Sequence, residues 1–408
     1  MTPDPAAWAA EARAWLAATV GPASTEAARP DLAVFRNLTD DQETELLDAI
    51  RAYRRARFEA GYGALTLPEE HGGAGLPASF AAMFSQLETE YAVPPSTELI
   101  SVTTGLVAPA IALYGTPELR AQFLEPLLRT DVLACQLFSE PGAGSDLAAV
   151  ACRGVRDGEE WVLDGQKVWS SGARHADLGL LLARTDPSVP KHKGITAFLV
   201  PLDLAGVTVR PIRQMSGGSS FNEVFLDGVR VPDSLRIGEV GQGWAVATAT
   251  LAFERQASGT GNRRKGGSFD DVLALARARG VAGDPVVRQQ LADLYVRSVL
   301  KAWTAQRVAR AAAAGVSPGP AGSVGKLVAS DLLVRTGELA ADLAGNGILG
   351  DTGDGTFAWT EHLLGAPGYR LAGGTDQIQR NVIAERVLGL PPEPRVDKDL
   401  PFSDLPRG

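Results

Sequence analysis

Three short stretches carry residue types whose spacing could do chemistry together. Residues 373–380 read GGTDQIQR, two glycines ahead of an acidic helix start. The N–H groups and positive dipole end of such a start suit an anion lying ahead of it. The same residues also fit a plain cap, with Thr375 or Asp376 as N-cap. Residues 138–146, FSEPGAGSD, follow a β run and pack Pro, Gly, Ser and Asp into a tight loop. Such a loop can offer backbone N–H groups and hydroxyls to an anionic or heteroaromatic ligand, or it can simply turn. VWSSGA (168–173) sets an aromatic beside two hydroxyls. Trp169 could cover a flat ring while Ser171 bonds its edge; taken singly, Trp169 reads as a core residue. GNGILG (345–350) has the spacing of a dinucleotide fingerprint, but it follows the helical stretch DLLVRTGELAADLAG. That fingerprint works only as a strand-to-helix turn, so no Rossmann site is expected.

The elements that must position these stretches fall into three blocks. Residues 1–130 read helical, with Trp8, Ala12 and Trp15, then Leu46, Ile50 and Tyr53, then Phe80, Phe84 and Leu87 at helical spacing. PEEHGGAGLP (68–77) interrupts them as a glycine-rich loop. Residues 131–239 hold short β runs such as LGLLLAR and GITAFLVPL, separated by turns and by no helix. That pattern predicts a mostly antiparallel sheet or barrel. In residues 240–408 the helical period returns. Val287, Leu291, Leu294, Ser298 and Ala302 form one stripe, and Leu332, Leu339 and Leu343 help form another. GVSPGP (315–320) separates two long helices, and GTGNRRKGGS (259–268) reads as a flexible loop, so a helical bundle is predicted.

Composition narrows the function. The 408 residues suffice for two or three domains; 45% hydrophobic and 21% charged content fits a globular chain. A net charge of −9 argues against nucleic-acid binding. No run of 18 apolar residues and no basic-then-apolar leader is present, so neither a membrane span nor a signal peptide is expected, and the chain reads as cytoplasmic. With only Cys135 and Cys152, neither a disulfide framework nor a cysteine metal site is expected.

In their order and spacing, and with the α–β–α pattern, the three motifs resemble those of the acyl-CoA dehydrogenases, from the PEEHGG loop to RNVIAERVLGLP. The resemblance implies an α+β fold with an N-terminal helical domain, a central antiparallel β domain and a C-terminal four-helix bundle. It implies FAD bound between the β domain and the bundle, with an acyl-CoA losing its α-proton and β-hydride. It further implies electron-transfer flavoprotein as acceptor, a role in lipid metabolism and a dimer-based homotetramer, a heterotetramer with a related subunit being the alternative. By the same resemblance Gln136, Phe138 and Ser139 line the flavin, Trp169 and Ser171 lie against its ring system, and Thr375 and Gln377 contact its diphosphate–adenine portion. Ser145 would sit near CoA.

Two departures from the family pattern matter. Many relatives carry the catalytic glutamate immediately before the Gly-Thr pair, where this chain has Gly373. A second group carries it in a Glu-Arg pair on the helix after the β domain, matched here by LAFERQ (251–256). Glu254 is then the base, Arg255 lies beside the substrate, and the Gly373 N–H helps polarise the thioester carbonyl. On WAVATATLAFERQAS, the neighbours of Glu254 at helical spacing are Ala247, Thr250, Leu251, Ala257 and Ser258. That small, largely apolar face leaves room for a flat cofactor and would raise the carboxyl pKa toward that of a general base. The bland alternative is a surface ion pair with a nearby arginine, worth ~0.3–0.5 kcal/mol. The family's Arg-x-x-Phe-Gly segment is replaced by ARARGVAGDPVVR (276–288), leaving Arg277, Arg279 or Arg288 to reach the FAD pyrophosphate. Members of the second group often take branched, long or bulky acyl chains, so a bulky thioester is expected, of CoA before a carrier protein. A flavin-dependent oxidase or monooxygenase of the same fold, or a non-catalytic acyl-binding subunit, are the other readings.

Overall fold

The computed structural model describes residues 2–23, 32–260, 266–313, 319–353, 355–395 and 397–405. Helix α1 (Pro5–Thr19) starts at Asp4, whose carboxylate accepts the Ala7 N–H; α2 (Asp40–Glu59) starts at a Thr39/Gln42 capping box. With α3 (Ala78–Glu88) they bury Trp8, Ala12, Leu16, Tyr53, Phe80 and Phe84 in one aromatic-rich cluster. Helix α4 (Glu98–Val102) then runs through a π-helical segment, Thr103–Val107, into α5 (Ala108–Tyr114). The last helix of this block is α6 (Pro117–Arg129).

The sheet comprises β1 (Ala134–Leu137), β2 (Arg153–Asp157), β3 (Glu160–Ser171), β4 (Leu178–Arg184), β5 (Ile195–Pro201), β6 (Val207–Ile212), β7 (Phe221–Pro232) and β8 (Arg236–Ile237). Its order is β6-β7-β3-β2-β4-β5-β8, with β1 on β4. The sheet is mostly antiparallel, as expected, with two parallel exceptions: β1 runs parallel to β4, and Arg153 of β2 meets Arg184 in a parallel pair. The β2–β3 hairpin lies between β1 and β4 in the chain and acts as the crossover that parallel neighbours require. Every residue of β4 is buried, which accounts for its unbroken apolar run.

The last block holds α7 (Gly243–Thr260), α8 (Phe269–Ala278), α9 (Pro285–Ala313) and α10 (Ala321–Ala344), then the short α11 (Ala358–Gly365), α12 (Gly368–Leu371) and α13 (Asp376–Arg386). Helix α10 packs against α7, α8, α9, α11 and α13. Leu291 and Leu294 are buried as the stripe predicts, but Ala302 is exposed. Beyond Leu294, α9 turns Tyr295, Val296, Leu300 and Trp303 to solvent, each at least half exposed. The predicted loops at 259–268 and 315–320 fall partly on residues 261–265 and 314–318, outside the described residues. GNGILG opens on a 3₁₀ turn that ends α10, not on a strand-to-helix turn. Helix α7 touches all three blocks: Val246 and Ala247 are buried with Leu106 and Ile111 of the first and Leu180 and Ile195 of the sheet.

Candidate active site

Of the β-side residues, Gln136 is half-buried on β1, and Phe138 (4% exposed) and half-buried Ser139 open the glycine-rich loop. The loop is fastened by a carboxylate that sequence reasoning passed over. Glu140 accepts the Ala151 and Cys152 N–H groups at 2.7 and 2.9 Å, and Lys167 Nζ at 2.6 Å. Lys167 Nζ also donates to the Phe138 carbonyl at 3.1 Å, and its side chain is 0% exposed. A lysine at an inward position of β3, in step with buried Trp161 and Leu163, was the available signal: such a cation must find a carboxylate. The Val168 N–H then donates to the Ser139 carbonyl at 2.9 Å, drawing β3 and the loop together. Ser145 stands exposed at the far end of that loop.

Trp169 is not a core residue. It sits at an irregularity in the β3–β7 pairing, with φ 62° and 59% of its surface exposed, its ring edge-on to Phe221 at 6.1 Å. A left-handed tryptophan is a strained conformation of the kind that collects at ligand sites. Beside it, Asn222 Nδ2 donates to the Ser170 carbonyl at 2.9 Å. The buried Ser170 Oγ and Asn222 Oδ1 find no hydrogen-bond partner among the described residues. Ser171 ends β3 half-buried opposite Phe221. An indole with an open face and neighbouring orphan polar atoms fit a flat heteroaromatic group such as a flavin.

The C-terminal corner is built from two left-handed glycines, Gly373 (φ 65°) and Gly374 (φ 83°). Thr375 is the N-cap of α13, its hydroxyl accepting the Ile378 N–H at 3.2 Å, and Gln377 is exposed in the first turn. Asp376 is 2% exposed and accepts Lys326 Nζ at 3.1 Å, Ser330 Oγ at 2.8 Å and Arg370 Nε at 2.8 Å. Burial alone would push this carboxyl up; those three hydrogen bonds hold it below its usual range instead. Gln379 Nε2 donates to the Gly373 carbonyl at 2.8 Å, while its buried Oε1 has no partner among the described residues. The corner thus combines backbone free of side chains with a helix N-terminus, a set suited to an anionic group, while the orphan amide oxygen of Gln379 can accept only from a donor.

Glu254 and Arg255 stand on the backbone of α7, but their side chains lie outside the described residues. Ala247 and Thr250, seven and four residues before Glu254 on the same helical row, are both 0% exposed. Helix α7 packs on the π segment, on α5 and on β5, and α10 bridges it to α13. A π segment inside a helix is frequently functional; Gly105 in TTGLV was its only hint in the sequence. Arg277, Arg279 and Arg288 are all exposed, although Arg279 Nη2 reaches the Ala344 carbonyl at 3.3 Å. Two open cavities lie near these elements: one of about 570 Å³ is lined by Phe123, Ala173, Asp177, Leu202 and Val209 among others, and one of about 390 Å³ lies between α8 and α9 beside Arg288. The first reaches Ala173, the last residue of the VWSSGA stretch, and the second touches none of the three motifs.

Family-level comparison matches residues 6–131 to the acyl-CoA dehydrogenase N-terminal domain, 135–229 to its middle domain and 241–388 to its C-terminal domain. The chain is 38% identical over 361 residues to acyl-CoA dehydrogenase IpdE1 of Mycobacterium tuberculosis, covering 86% of this chain and 91% of that one. It is 42% identical over 285 residues to acyl-CoA dehydrogenase FadE34 of the same organism, covering 70% of this chain and 39% of that one. Among solved structures, the Tcur3481–Tcur3483 steroid ACAD matches with TM-score 0.77 and 28% identity, over 95% of this chain and 98% of that one. The ChsE4–ChsE5 complex of M. tuberculosis matches with TM-score 0.73 and 25% identity, over 96% and 98%.

Proposed function

Because this chain is a member of the acyl-CoA dehydrogenase family, we propose that it binds FAD and removes the α- and β-hydrogens of a bulky, branched or long acyl-CoA, with Glu254 as the base. The observation that carries this reading is residue 373. Its backbone is left-handed (φ 65°), where glycine sits at ease and a glutamate would be strained, so the corner offers no carboxylate. Helix α7 offers one at Glu254, on a row whose preceding members are small and buried.

FAD, when bound, supplies the acceptor for the β-hydrogen and its electron pair. Trp169 and Ser171, with Gln136, Phe138 and Ser139, line its ring system, and Thr375 and Gln377 meet its diphosphate–adenine portion. Arg277, Arg279 or Arg288, all exposed, is left to reach the pyrophosphate. Glu254 takes the α-proton, the Gly373 N–H polarises the thioester carbonyl, Arg255 lies beside the acyl group and Ser145 faces the CoA end. An apolar row around the base keeps water away and lifts its proton affinity toward the working pH. A substrate of steroid-like bulk is supported by the likeness to a protein named a steroid ACAD. The half-exposed Val296, Leu300 and Trp303 on α9 support burial against another subunit, a copy of this chain or a related one, and both named structural relatives are two-component proteins. Electron-transfer flavoprotein is the proposed acceptor.

Glu254→Gln tests the reading. The variant should keep its flavin and its thioester affinity yet lose about 10²–10⁴-fold in the rate of flavin reduction. Stopped-flow bleaching at the wild-type rate would place the base elsewhere.

A further inference from the structure

The last described residues do not lie on the bundle that precedes them but return to the β domain. Pro401 forms a β-bridge with Pro190; the Phe402 and Ser403 N–H groups donate to the Val189 and Pro187 carbonyls, each at 2.9 Å. The Phe402 ring covers the Arg184 guanidinium at 3.9 Å. Arg184, 4% exposed, donates beneath it to the carbonyls of Ala148, Val150 and Lys191, which ties the end of the glycine-rich loop to the 185–194 connection. Lys191 completes the clasp. Its Nζ donates to Asp397 Oδ2 of the returning segment at 2.6 Å and to Asp146 Oδ2, beside Ser145, at 2.8 Å. The next residue, His192, sets its ring edge-on to Trp244 in the first turn of α7 at 4.7 Å. One surface connection is therefore held from three sides: by the loop bearing Ser145, by the helix bearing Glu254 and by the end of the chain.

We propose that Asp397–Leu405 is a strap that positions the Ser145–Asp146 end of the loop and the start of α7 for the thioester, with Lys191 the positioning residue through which it acts. The assignment of Ser145 to the CoA end rests on the function proposed above. Among the described residues the strap's contacts fall on Arg184, Pro187, Val189, Pro190 and Lys191, away from Gln136, Phe138, Ser139, Trp169 and Ser171, so its removal should alter thioester binding and leave flavin content alone. A surface clasp with no part in binding would change stability only.

The test compares the wild-type flavoprotein with a chain ending at Arg395, with Lys191→Met and with Lys191→Arg. Amide hydrogen exchange over 143–150 and 186–194 should accelerate in the truncated chain and in Lys191→Met, with flavin absorbance per chain unchanged. The dissociation constants for palmitoyl-CoA and for CoA, read by calorimetry, should rise about three- to tenfold, the scale of losing one or two partly exposed ion pairs. Lys191→Arg should recover most of both effects. Unchanged exchange in the truncated chain overturns the strap. Faster exchange with unchanged dissociation constants overturns its role in binding and leaves a structural clasp. A wild-type protein that binds neither probe defeats the proposed function, and the thioester half of this inference with it, while the exchange data still decide whether the strap orders the loop.

Discussion

Two glycine-rich corners carry candidate site residues, and each is fastened by one buried carboxylate, yet the fastenings differ in kind. Glu140 in the β domain is held by two backbone N–H groups and one fully buried lysine. Asp376 in the bundle is held by three side chains, of which Arg370 is half-exposed. Backbone donors cannot rotate away as side chains can, so the first corner is tied directly to the main chain that leads into β2. Side-chain donors on α10 and α12 can shift, so the second corner can adjust without unfolding its surroundings. The backbone repeats the contrast: the β corner holds a strained tryptophan, whereas the bundle corner uses glycines that reach left-handed φ at little cost. On the function proposed above, the β domain would supply the firmer wall of the site and the bundle the wall that tolerates change.

The contrast breaks most sharply at Lys167. Among the described residues, Lys167 is the only cation bonded to Glu140, so Lys167→Met leaves a buried carboxylate with its two backbone donors. Losing one partner of such a pair should cost about 3–5 kcal/mol, read as a lower urea midpoint for the purified flavoprotein. Adding Glu140→Gln should recover part of that loss, because both charges then leave together. A double variant as unstable as the sum of the two singles would mean that packing, not charge, sets the rigidity of this corner.

Asp376→Asn probes the softer corner and should cost less, about 1.5–3 kcal/mol, the worth of a charged hydrogen bond. The variant also carries a pH signature. The carboxyl pKa is held down in the folded protein, so its stabilising effect is complete above the ordinary aspartate value of about 3.9 and fades as pH falls through the lower folded value. Wild-type and Asp376→Asn melting temperatures should therefore differ most near neutral pH and converge below about pH 4. A gap that stays constant into acid would assign the loss to shape alone.

How much of this was legible in the sequence depended on whether the information was local. The three blocks follow from periodicity, and the helix start at Asp376 from Gly-Gly-Thr; both are properties of neighbours along the chain. The Lys167–Glu140 pair spans 27 residues and Arg184–Phe402 far more, and no local pattern names a partner. The parallel β1–β4 register escaped for the same reason: a four-residue apolar strand fits either direction. Trp169 read as core because a tryptophan beside a buried run normally is; its left-handed backbone, invisible in the sequence, turns it out instead. The stripe read on α9 holds at Leu291 and Leu294 but not at Ala302, because period alone does not say where along a long helix its neighbours stop.

The smallest effect should come from Thr375, where capping and ligand contact compete for one hydroxyl. In the protein its Oγ1 accepts the Ile378 N–H at 3.2 Å, so the cap function is present before any ligand enters. Thr375→Ala should cost about 1 kcal/mol of stability, the usual worth of an N-cap, and Thr375→Ser should restore most of it. The proposed contact with the FAD diphosphate adds a second, separable quantity. Oγ1 can accept from the backbone while its own proton donates forward to a phosphate oxygen, and alanine loses both bonds where serine keeps both. FAD affinity, measured by titrating the flavin-stripped chain, should then fall several-fold in Thr375→Ala and stay near wild type in Thr375→Ser. If Thr375→Ala lowers the melting temperature but binds FAD as the wild type does, the hydroxyl is a cap alone. The C-terminal corner would then hold its ligand through backbone groups and the helix dipole, which would make it the more permissive of the two walls in a second sense.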